Sequence, residues 1–291
     1  MQPRRLGIVG ASGFVGRTLR DLAMKEGYEV VCFSRQERPG FRVFKDAKDL
    51  KDLDAVINLA GEPILGLWTA DRRKKILESR VQGTRQIVEA IVSGKPRFPT
   101  LVNGSAIGYY GDTGDHLVDE DSPVGSGFLA STCQAWEAAT VPAAAAGVRV
   151  VLVRIGFVIG NGGAMSLIRP AFRLGLGGRL GSGRQWMSCI HVEDVAGMIL
   201  WALRDDRISG PVNAVMPDPV TNLEFTKTLA ESLHRPAILP APAFALKLAL
   251  GDLSHVMLDS ARVMPGVAAR LGYSYRFPTL AGAFQSLESP K

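Results

Sequence analysis

Short apolar runs alternate with amphipathic stretches through the first half of this 291-residue chain. The apolar runs are rich in β-favouring residues and are typical of buried strands. The amphipathic stretches repeat apolar side chains at helical spacing. The predicted strands cover residues 6–9, 28–34, 42–44, 54–60, 100–105 and 148–155, and the predicted helices cover 14–25, 71–93 and 128–146. This alternation predicts an α/β fold built on a doubly wound parallel sheet.

The pattern changes after residue 156, where glycine and arginine become frequent over residues 169–183. Further on, the sequence predicts a helix over 191–203, a strand over 212–215, a helix over 222–233 capped by Thr221 and a proline-rich connector over 236–242. We therefore expect two domains. The first covers residues 1–155, with 190–215 returning to it, and the second, small and mostly helical, covers 156–189 and 216–291.

Three glycines follow the first predicted strand and open the first predicted helix, with the spacing G-x-x-G-x-x-G. Such glycines allow a tight turn, let the backbone approach a phosphate and let the helix pack on the strand. The free N–H groups at the helix start favour an anion. A dinucleotide pyrophosphate is therefore the predicted ligand, in preference to a purely structural turn. The predicted contacts are Gly10, Ser12, Gly13, Phe14, Val15 and Gly16.

The end of the second predicted strand indicates which dinucleotide binds. An acidic residue there would bind the ribose 2′-hydroxyl of NAD. This chain instead has Ser34 and Arg35, with Arg38 close by, and its first acidic residue, Glu37, comes three positions late. A hydroxyl and a guanidinium suit a phosphate ester, so the predicted cofactor is NADP. The alternative is an ordinary solvated loop arginine.

Two further strand ends lie at the same edge, because parallel strands end together and open parallel sheets bind ligands there. The strand over 54–60 leads into Leu59, Ala60 and Gly61, which we expect to lie beside the cofactor. Ser105 ends the next strand, where the nicotinamide is expected. Arg80 lies on the apolar side of the helix over 71–93, so we expect it to reach a partner or the cofactor.

Charge and composition narrow the range of partners. The net charge of +6 favours anionic small ligands but is too diffuse to predict nucleic-acid binding. The three cysteines are far apart, odd in number and without metal-ligand spacing, so we expect reduced thiols and no metal site. No apolar run approaches the roughly 18 residues of a membrane span. A cytoplasmic protein without a membrane segment is therefore expected.

Five longer stretches form a recognisable pattern. They are Asn58-Leu-Ala-Gly-Glu-Pro-Ile64, Gly108-Tyr-Tyr-Gly-Asp112, Phe172-Arg-Leu-Gly-Leu-Gly-Gly178, Leu180-Gly-Ser-Gly-Arg-Gln-Trp186 and Gly210-Pro-Val-Asn213. With the glycine turn, they resemble the extended short-chain dehydrogenases/reductases of the NAD(P)-dependent epimerase/dehydratase family. More narrowly, they resemble its atypical subgroup with a distinctive C-terminal domain. Members are mostly described as nucleoside-diphosphate-sugar epimerases without an established substrate, and a few relatives are linked to cell or chloroplast division.

The resemblance implies a Rossmann domain and a C-terminal domain that covers the substrate. It also adds Arg80 and Val158 to the cofactor contacts. The family uses a tyrosine that exchanges a proton with the substrate and a lysine four residues later that lowers the tyrosine pKa. In this chain those two positions carry Leu129 and Cys133. Ser105 and Tyr109 are the predicted substitutes, with Tyr110 and Glu62 left open.

These observations predict an NADP-dependent oxidoreductase or epimerase-like enzyme that acts on a small anionic or sugar-like substrate. The alternative is a catalytically weak NADP(H)-binding sensor or scaffold linked to division, and a homodimer is left open. The substrate is expected near Tyr109, Arg169, Arg173, Arg184 and Trp186. His191 is interpreted as a structural residue at a helix start. A solvated rim is the interpretation of the acidic residues Asp112, Asp115, Asp119, Glu120 and Asp121.

Overall fold

The computed structural model describes residues 4–94 and 100–288, so the outermost residues of the two predicted domains, 1–3 and 289–291, lie outside the described residues. The strands are β1 (Arg5–Val9), β2 (Glu29–Ser34), β3 (Arg42–Val43), β4 (Ala55–Asn58), β5 (Thr100–Ala106), β6 (Leu117–Val118), β7 (Arg149–Ile155), β8 (Phe157–Ile159), β9 (Trp186–Met187), β10 (Cys189–His191), β11 (Gly210–Ala214), β12 (Val220–Thr221) and β13 (Arg262–Val263). The α-helices are α1 (Phe14–Lys25), α2 (Ala70–Gly94), α3 (Phe128–Ala138), α4 (Val141–Ala145), α5 (Met165–Arg173), α6 (Val192–Arg204), α7 (Asn222–Ser232), α8 (Ala243–Leu250), α9 (His255–Leu258), α10 (Gly266–Leu271) and α11 (Leu280–Glu288).

Seven strands form one parallel sheet in the order β11-β7-β5-β4-β1-β2-β3. From β1 the chain moves outward through β2 and β3, and it then returns to β4 and proceeds in the opposite direction. The strand order therefore reverses between β1 and β4, which is where open α/β sheets bind their ligands. The predicted doubly wound α/β fold is confirmed.

Helices cover both faces of this sheet because successive strand residues point to opposite sides. Ile57 and Val102 belong to a core with α1 and α6, whereas Val56 and Leu101 belong to a second core with α2 and α4. This alternation places Asn103 and Ser105, which share the parity of Leu101, on the face covered by α2 and α3. Full burial of each such aliphatic side chain contributes about 1.5–3 kcal/mol.

The single helix predicted over 128–146 is wrong, because two helices occupy this range. α3 ends at Ala138, and Pro142 lies in the first turn of α4. Proline has no backbone N–H and fits a first turn but interrupts a continuing helix. Between the helices the Thr140 hydroxyl donates to the Glu137 carbonyl, at 2.7 Å.

The helix starts predicted at Thr221 and near His191 are close to those observed. Thr221 forms a capping box with Glu224 at the start of α7. His191 ends β10 and caps α6 by accepting from the Glu193 N–H, at 3.3 Å. This capping contact agrees with the structural interpretation of His191.

The C-terminal part is tied to the loop that follows β5. β13 pairs in parallel with β6, which joins Val263 to Val118. Immediately before β13, the Ser260 carbonyl accepts from the Thr113 N–H, at 2.7 Å, and the Ser260 N–H donates to Asp112, at 3.0 Å. The segment around residues 260–263 therefore clamps the loop 112–118.

Candidate functional site

The glycine turn after β1 has no room for a side chain at Gly10 or at Gly16. Gly10 has φ +89°, and a Cβ there would lie 2.7–2.8 Å from the backbone of Leu59 and Ala60. A Cβ at Gly16 would meet the Gly10 carbonyl oxygen and would lie 2.8 Å from the Ala11 Cα. The turn thus brings the start of α1 against β1 and against the segment that follows β4.

The N-terminus of α1 is open to an anion. Gly13 is its N-cap residue, no side chain caps the helix, and its first turn contains no acidic residue. The helix dipole and the free N–H groups therefore favour a negative group. A dinucleotide pyrophosphate fits this cradle, with Ser12 in the turn beside it.

Buried polar side chains hold the loop after β4 in place. Asn58 donates to Asn103, at 2.7 Å, and to Thr84, at 3.0 Å, while its oxygen accepts from the Ala60 N–H, at 3.2 Å. All three of these side chains are buried. The predicted contacts Leu59, Ala60 and Gly61 are thus set by a buried amide–hydroxyl network.

Arg80 supports the same loop. Its guanidinium donates to the Glu62 and Ile76 carbonyls, at 3.0 and 3.1 Å, and lies 5.1 Å from the ring centroid of Trp136. A Cβ at Gly61 would lie 3.1 Å from the guanidinium carbon. Burial lowers the pKa of Arg80, and the nearby Cys133 and Glu62 oppose that shift. Arg80 therefore shapes the turn that the cofactor prediction uses.

Phe14 and Val158 border the glycine turn from the other side. A Cβ at Gly160 or Gly162 would lie 2.5 Å from the Phe14 ring, so the loop after β8 lies flat on that ring. Val158 packs against the core that contains α1. Val15, at the start of α1, packs against the same core.

The end of β2 is polar and exposed. The Ser34 hydroxyl donates to the Gln36 carbonyl, at 2.7 Å, and forms a tight local turn. Arg35 is exposed, and Arg38 lies over the ring of Phe41. The adjoining cleft is lined by the three cations Arg38, Arg42 and Lys45 against the two acids Glu37 and Asp49. This excess of positive charge suits a phosphate.

Ser105 lies in a buried ion-pair network that sequence reasoning missed. Its hydroxyl donates to Glu137, at 2.6 Å, and Arg154 donates to both oxygens of Glu137, at 2.9 Å each. Ser105 and Arg154 are 2% and 3% exposed. Glu137 offered one signal, since it follows Leu129 and Cys133 at four-residue steps and therefore shares their helix face.

The two tyrosines after β5 have different environments. Tyr110 accepts from Arg154, at 2.9 Å, and donates to Asn213, at 2.8 Å. Burial raises the pKa of Tyr110 to about 12, against the opposing effect of Arg154. Tyr109 is only half-buried, and the Arg154 guanidinium carbon lies 3.5 Å from its ring centroid. Its hydroxyl takes part in no hydrogen bond among residues 4–94 and 100–288, whereas the Tyr110 hydroxyl takes part in two.

Leu129 and Cys133 pack beside this turn. A Cβ at Gly108 would lie 3.2 Å from the Leu129 Cβ and 3.9 Å from the Cys133 sulfur. Burial raises the pKa of the Cys133 thiol to about 11, and Glu137 adds to the shift. Cys133 therefore stays a neutral thiol at physiological pH and supplies no charge to a neighbouring tyrosine.

Two of the arginines expected near the substrate form ion pairs within the protein. Arg169 and Arg173 on α5 both form ion pairs with Glu288 at the end of α11. Burial would raise the pKa of Glu288, but hydrogen bonds from these two arginines lower it overall. This pairing ties α5 to α11. Arg184 is exposed, and its backbone N–H donates to the Ser182 hydroxyl.

Trp186 is partly covered. Its indole N–H donates to Asp115, at 3.0 Å, and the Arg262 guanidinium lies 4.2 Å from its ring centroid. One face of the ring is therefore occupied by a cation from β13.

The acidic residues do not all form a solvated rim. Glu120 is 8% exposed and accepts from the Asn213 N–H, at 2.9 Å, so this interpretation is wrong for Glu120. The reason is that Glu120 satisfies backbone donors of β11 and α10 inside the fold. Glu62 forms an ion pair with Arg72, at 2.8 Å.

Over residues 4–94 and 100–288, histidine, cysteine, aspartate and glutamate form no cluster of three or more suited to a metal ion. No helix among the same residues combines the length and the apolar character needed to cross a bilayer.

Comparison with known proteins agrees with this geometry. A model of the NAD dependent epimerase/dehydratase family matches residues 6–214, and one of a domain of unknown function, DUF1731, matches residues 241–287. The crystal structure of human epimerase family protein SDR39U1 with NADPH has a TM-score of 0.89 at 33% identity, covering 97% of this chain and 98% of that chain.

Relatives from other organisms match over nearly the whole length. The epimerase family protein ML0860 of Mycobacterium leprae is 36% identical over 288 residues, 95% of this chain and 93% of that protein. A chloroplastic SDR39U1 homolog from Arabidopsis thaliana is 35% identical over 298 residues, 96% of this chain and 85% of that protein. The resemblance in the sequence motifs is confirmed, and the chain belongs to the NAD-dependent epimerase/dehydratase family.

Proposed function

We propose that the chain is an NADP(H)-dependent oxidoreductase or epimerase-like enzyme of this family, acting on a small anionic or sugar-like molecule. The observation that carries the proposal is the glycine cradle at the open N-terminus of α1, with Ser34 and Arg35 at the end of β2. The human relative, whose crystal structure contains NADPH, supports the choice of NADP(H).

The residues assigned to the cofactor surround this cradle. The turn and the start of α1 would hold the pyrophosphate through backbone N–H groups, and Arg35 would pair with the 2′-phosphate. The loop of Leu59, Ala60 and Gly61, supported by Arg80, would border the dinucleotide, and Val158 would lie on its far side. When bound, the cofactor would supply or accept a hydride.

Tyr109 is the proposed proton donor. It follows the carboxyl end of β5, it is half-buried, and its hydroxyl forms no hydrogen bond to the described residues. Tyr110 is unsuited, since its hydroxyl already bonds Arg154 and Asn213. Ser105 would act by holding Glu137 in place. Residues 156–189 and 216–291 would cover the substrate.

NADPH binding and turnover test the proposal separately. Calorimetry should show heat from NADPH with the purified chain, and a panel of carbonyl compounds should contain at least one that consumes NADPH. Tyr109→Phe should retain NADPH binding and lose at least about tenfold in rate, because a general acid contributes about 10²–10⁴-fold. No NADPH binding refutes the whole proposal. Unchanged turnover in Tyr109→Phe refutes the assigned proton donor.

A second candidate function is an NADP(H)-binding sensor or scaffold with weak activity, linked to division. Leu129 and the neutral thiol of Cys133 favour it, because neither can do the work of the family's tyrosine and lysine. NADPH binding with no turnover over the whole carbonyl panel would favour this function.

Location and assembly complete the proposal. We propose that the protein is cytoplasmic and binds no nucleic acid, with a homodimer as the assembly left open for testing; the Arabidopsis relative is described as chloroplastic. Fractionation of cells and light scattering of the purified chain test these two points.

A further inference from the structure

The ring of Tyr109 stacks on the guanidinium of Arg154, and hydrogen bonds hold that guanidinium in place. The Arg154 guanidinium carbon is 3.5 Å from the Tyr109 ring centroid, and Tyr110 meets the same ring edge-on, with centroids 5.4 Å apart. Tyr109 also packs against the hydrophobic cluster of Tyr110, Val215 and Val263. The ring is therefore fixed on the protein side while its hydroxyl stays free.

Three hydrogen bonds to two residues hold Arg154 in place. Two hydrogen bonds join it to Glu137 on α3 and one joins it to Tyr110, which in turn donates to Asn213 on β11. Burial would lower the pKa of Arg154, but the bonds to Glu137 and Tyr110 raise it overall. Arg154 thus remains charged at every physiological pH.

We propose that Arg154 stabilises the negative charge that develops on Tyr109 when Tyr109 gives up its proton, and so does the electrostatic work of the lysine that this chain lacks. The inference rests on the proposed function, since it takes Tyr109 as the proton donor. Arg154 does not touch the substrate in this scheme and is a positioning residue. Glu137, Tyr110 and Ser105 hold it in place.

The proton transfer balances without a further co-reactant. In carbonyl reduction, the Tyr109 O–H bond breaks, its proton forms a new O–H bond on the substrate oxygen, and a hydride from a reduced nicotinamide reaches the carbonyl carbon. The electron pair of the broken bond stays on the Tyr109 oxygen as a phenolate. Water reprotonates this half-exposed oxygen after the product leaves.

Two variants that change Glu137 should shift the pKa of Tyr109 in opposite directions, and this contrast tests the proposal. Its carboxylate partly cancels the field of Arg154 at Tyr109, so Glu137→Gln leaves the guanidinium uncompensated. The double variant Glu137→Met with Arg154→Met removes both charges. The other titratable groups near the network are Tyr110, Cys133, Glu120 and Arg80. Both variants keep these residues, but losing Arg154 raises the pKa of Tyr110 and losing Glu137 lowers the pKa of Cys133, so the Tyr109 midpoint alone is the readout.

The experiment is a pH titration of the five tyrosines by NMR with ¹³Cζ labelling, on the full chain without cofactor or substrate. Tyr109→Phe assigns the Tyr109 resonance. Relative to the unmodified chain, Glu137→Gln should move the Tyr109 midpoint down by about 0.5–1 pH unit, and the double variant should move it up by a similar amount. Arg204→Gln, which removes a surface ion pair with Glu26, is the matched control and should leave the Tyr109 midpoint unchanged, although it removes a charge that lowers the pKa of Tyr273.

Midpoints that stay fixed in Glu137→Gln, or that move upward, overturn the inference. Glu137→Gln keeps the size of the original side chain, and its amide oxygen can still accept from Ser105 and from Arg154 Nε, so it decides the question even where the double variant fails to fold. The titration uses neither NADPH nor a substrate. A failed titration therefore leaves the proposed function standing, and a failed turnover assay leaves the electrostatic coupling standing.

Discussion

The two ends of the proposed reaction site are built from different kinds of contact. The cofactor end, made by the turn after β1 and the start of α1, depends on backbone shape and on the absence of side chains at Gly10 and Gly16. The proton end, at the close of β5, depends on a buried network of charged side chains around Arg154 and Glu137. The first end matches the family pattern, whereas the second replaces it. If the proposed function is correct, binding and proton transfer depend on separate parts of the fold, and each can be perturbed alone.

The largest expected effect is a loss of stability at the proton end. Glu137→Leu leaves the buried Arg154 without its partner, which should lower the free energy of unfolding by about 3–5 kcal/mol. Urea denaturation measures this loss. Adding Arg154→Met should restore most of it, because no charge then remains buried. Equal losses in the single and double variants would show that packing, and not charge, dominates there.

A somewhat smaller effect is expected at the cofactor end. In Gly16→Ala the new methyl group would meet the Gly10 carbonyl, so the turn must shift, and NADPH should bind about a hundredfold more weakly, near 3 kcal/mol. Gly83→Ala is the matched control, since a Cβ at that helical position meets nothing within 4 Å. It should raise stability by about 0.5–1 kcal/mol and leave binding unchanged. An intact NADPH affinity in Gly16→Ala would contradict the predicted phosphate site.

The smallest effect tests which dinucleotide the cofactor end prefers. Arg35→Asp removes the proposed partner of the 2′-phosphate and adds a repelling charge. A charge-assisted hydrogen bond contributes about 1.5–3 kcal/mol, so NADP affinity should fall about tenfold or more while NAD affinity is maintained. Calorimetry with both nucleotides measures the ratio. Arg4→Asp, a change of the same sign on an exposed residue before β1, serves as the control.

Sequence patterns were sufficient where structure depends on local shape. The glycine spacing identified a turn without room for side chains, and the apolar runs located the strands of the parallel sheet to within a few residues. Thr221 was recognised as a cap because its hydroxyl acts on a backbone N–H three residues away. Each of these signals is contained in a short stretch of chain.

The proton end could not be predicted in this way, because its contacts join distant parts of the chain. Glu137 meets Ser105 across 32 residues, and Tyr110 meets Asn213 across 103. Glu120 was misjudged for the same reason, since its partners on β11 and α10 come together only in the folded sheet. The ion pairs of Arg169 and Arg173 with Glu288 were missed for the same reason, since Glu288 is more than a hundred residues away, and their expected place near the substrate stays a prediction.

The seam between β13 and β6 makes the position of Tyr109 depend on chain that is synthesised last. All seven strands of the parallel sheet and the glycine turn lie before residue 215. The turn that carries Tyr109 gains its outer support only when residues 260–263 arrive. A chain that lost its final thirty or so residues would therefore lose the outer support of the proposed proton donor, together with the part of the core that Ala268 and Phe284 fill.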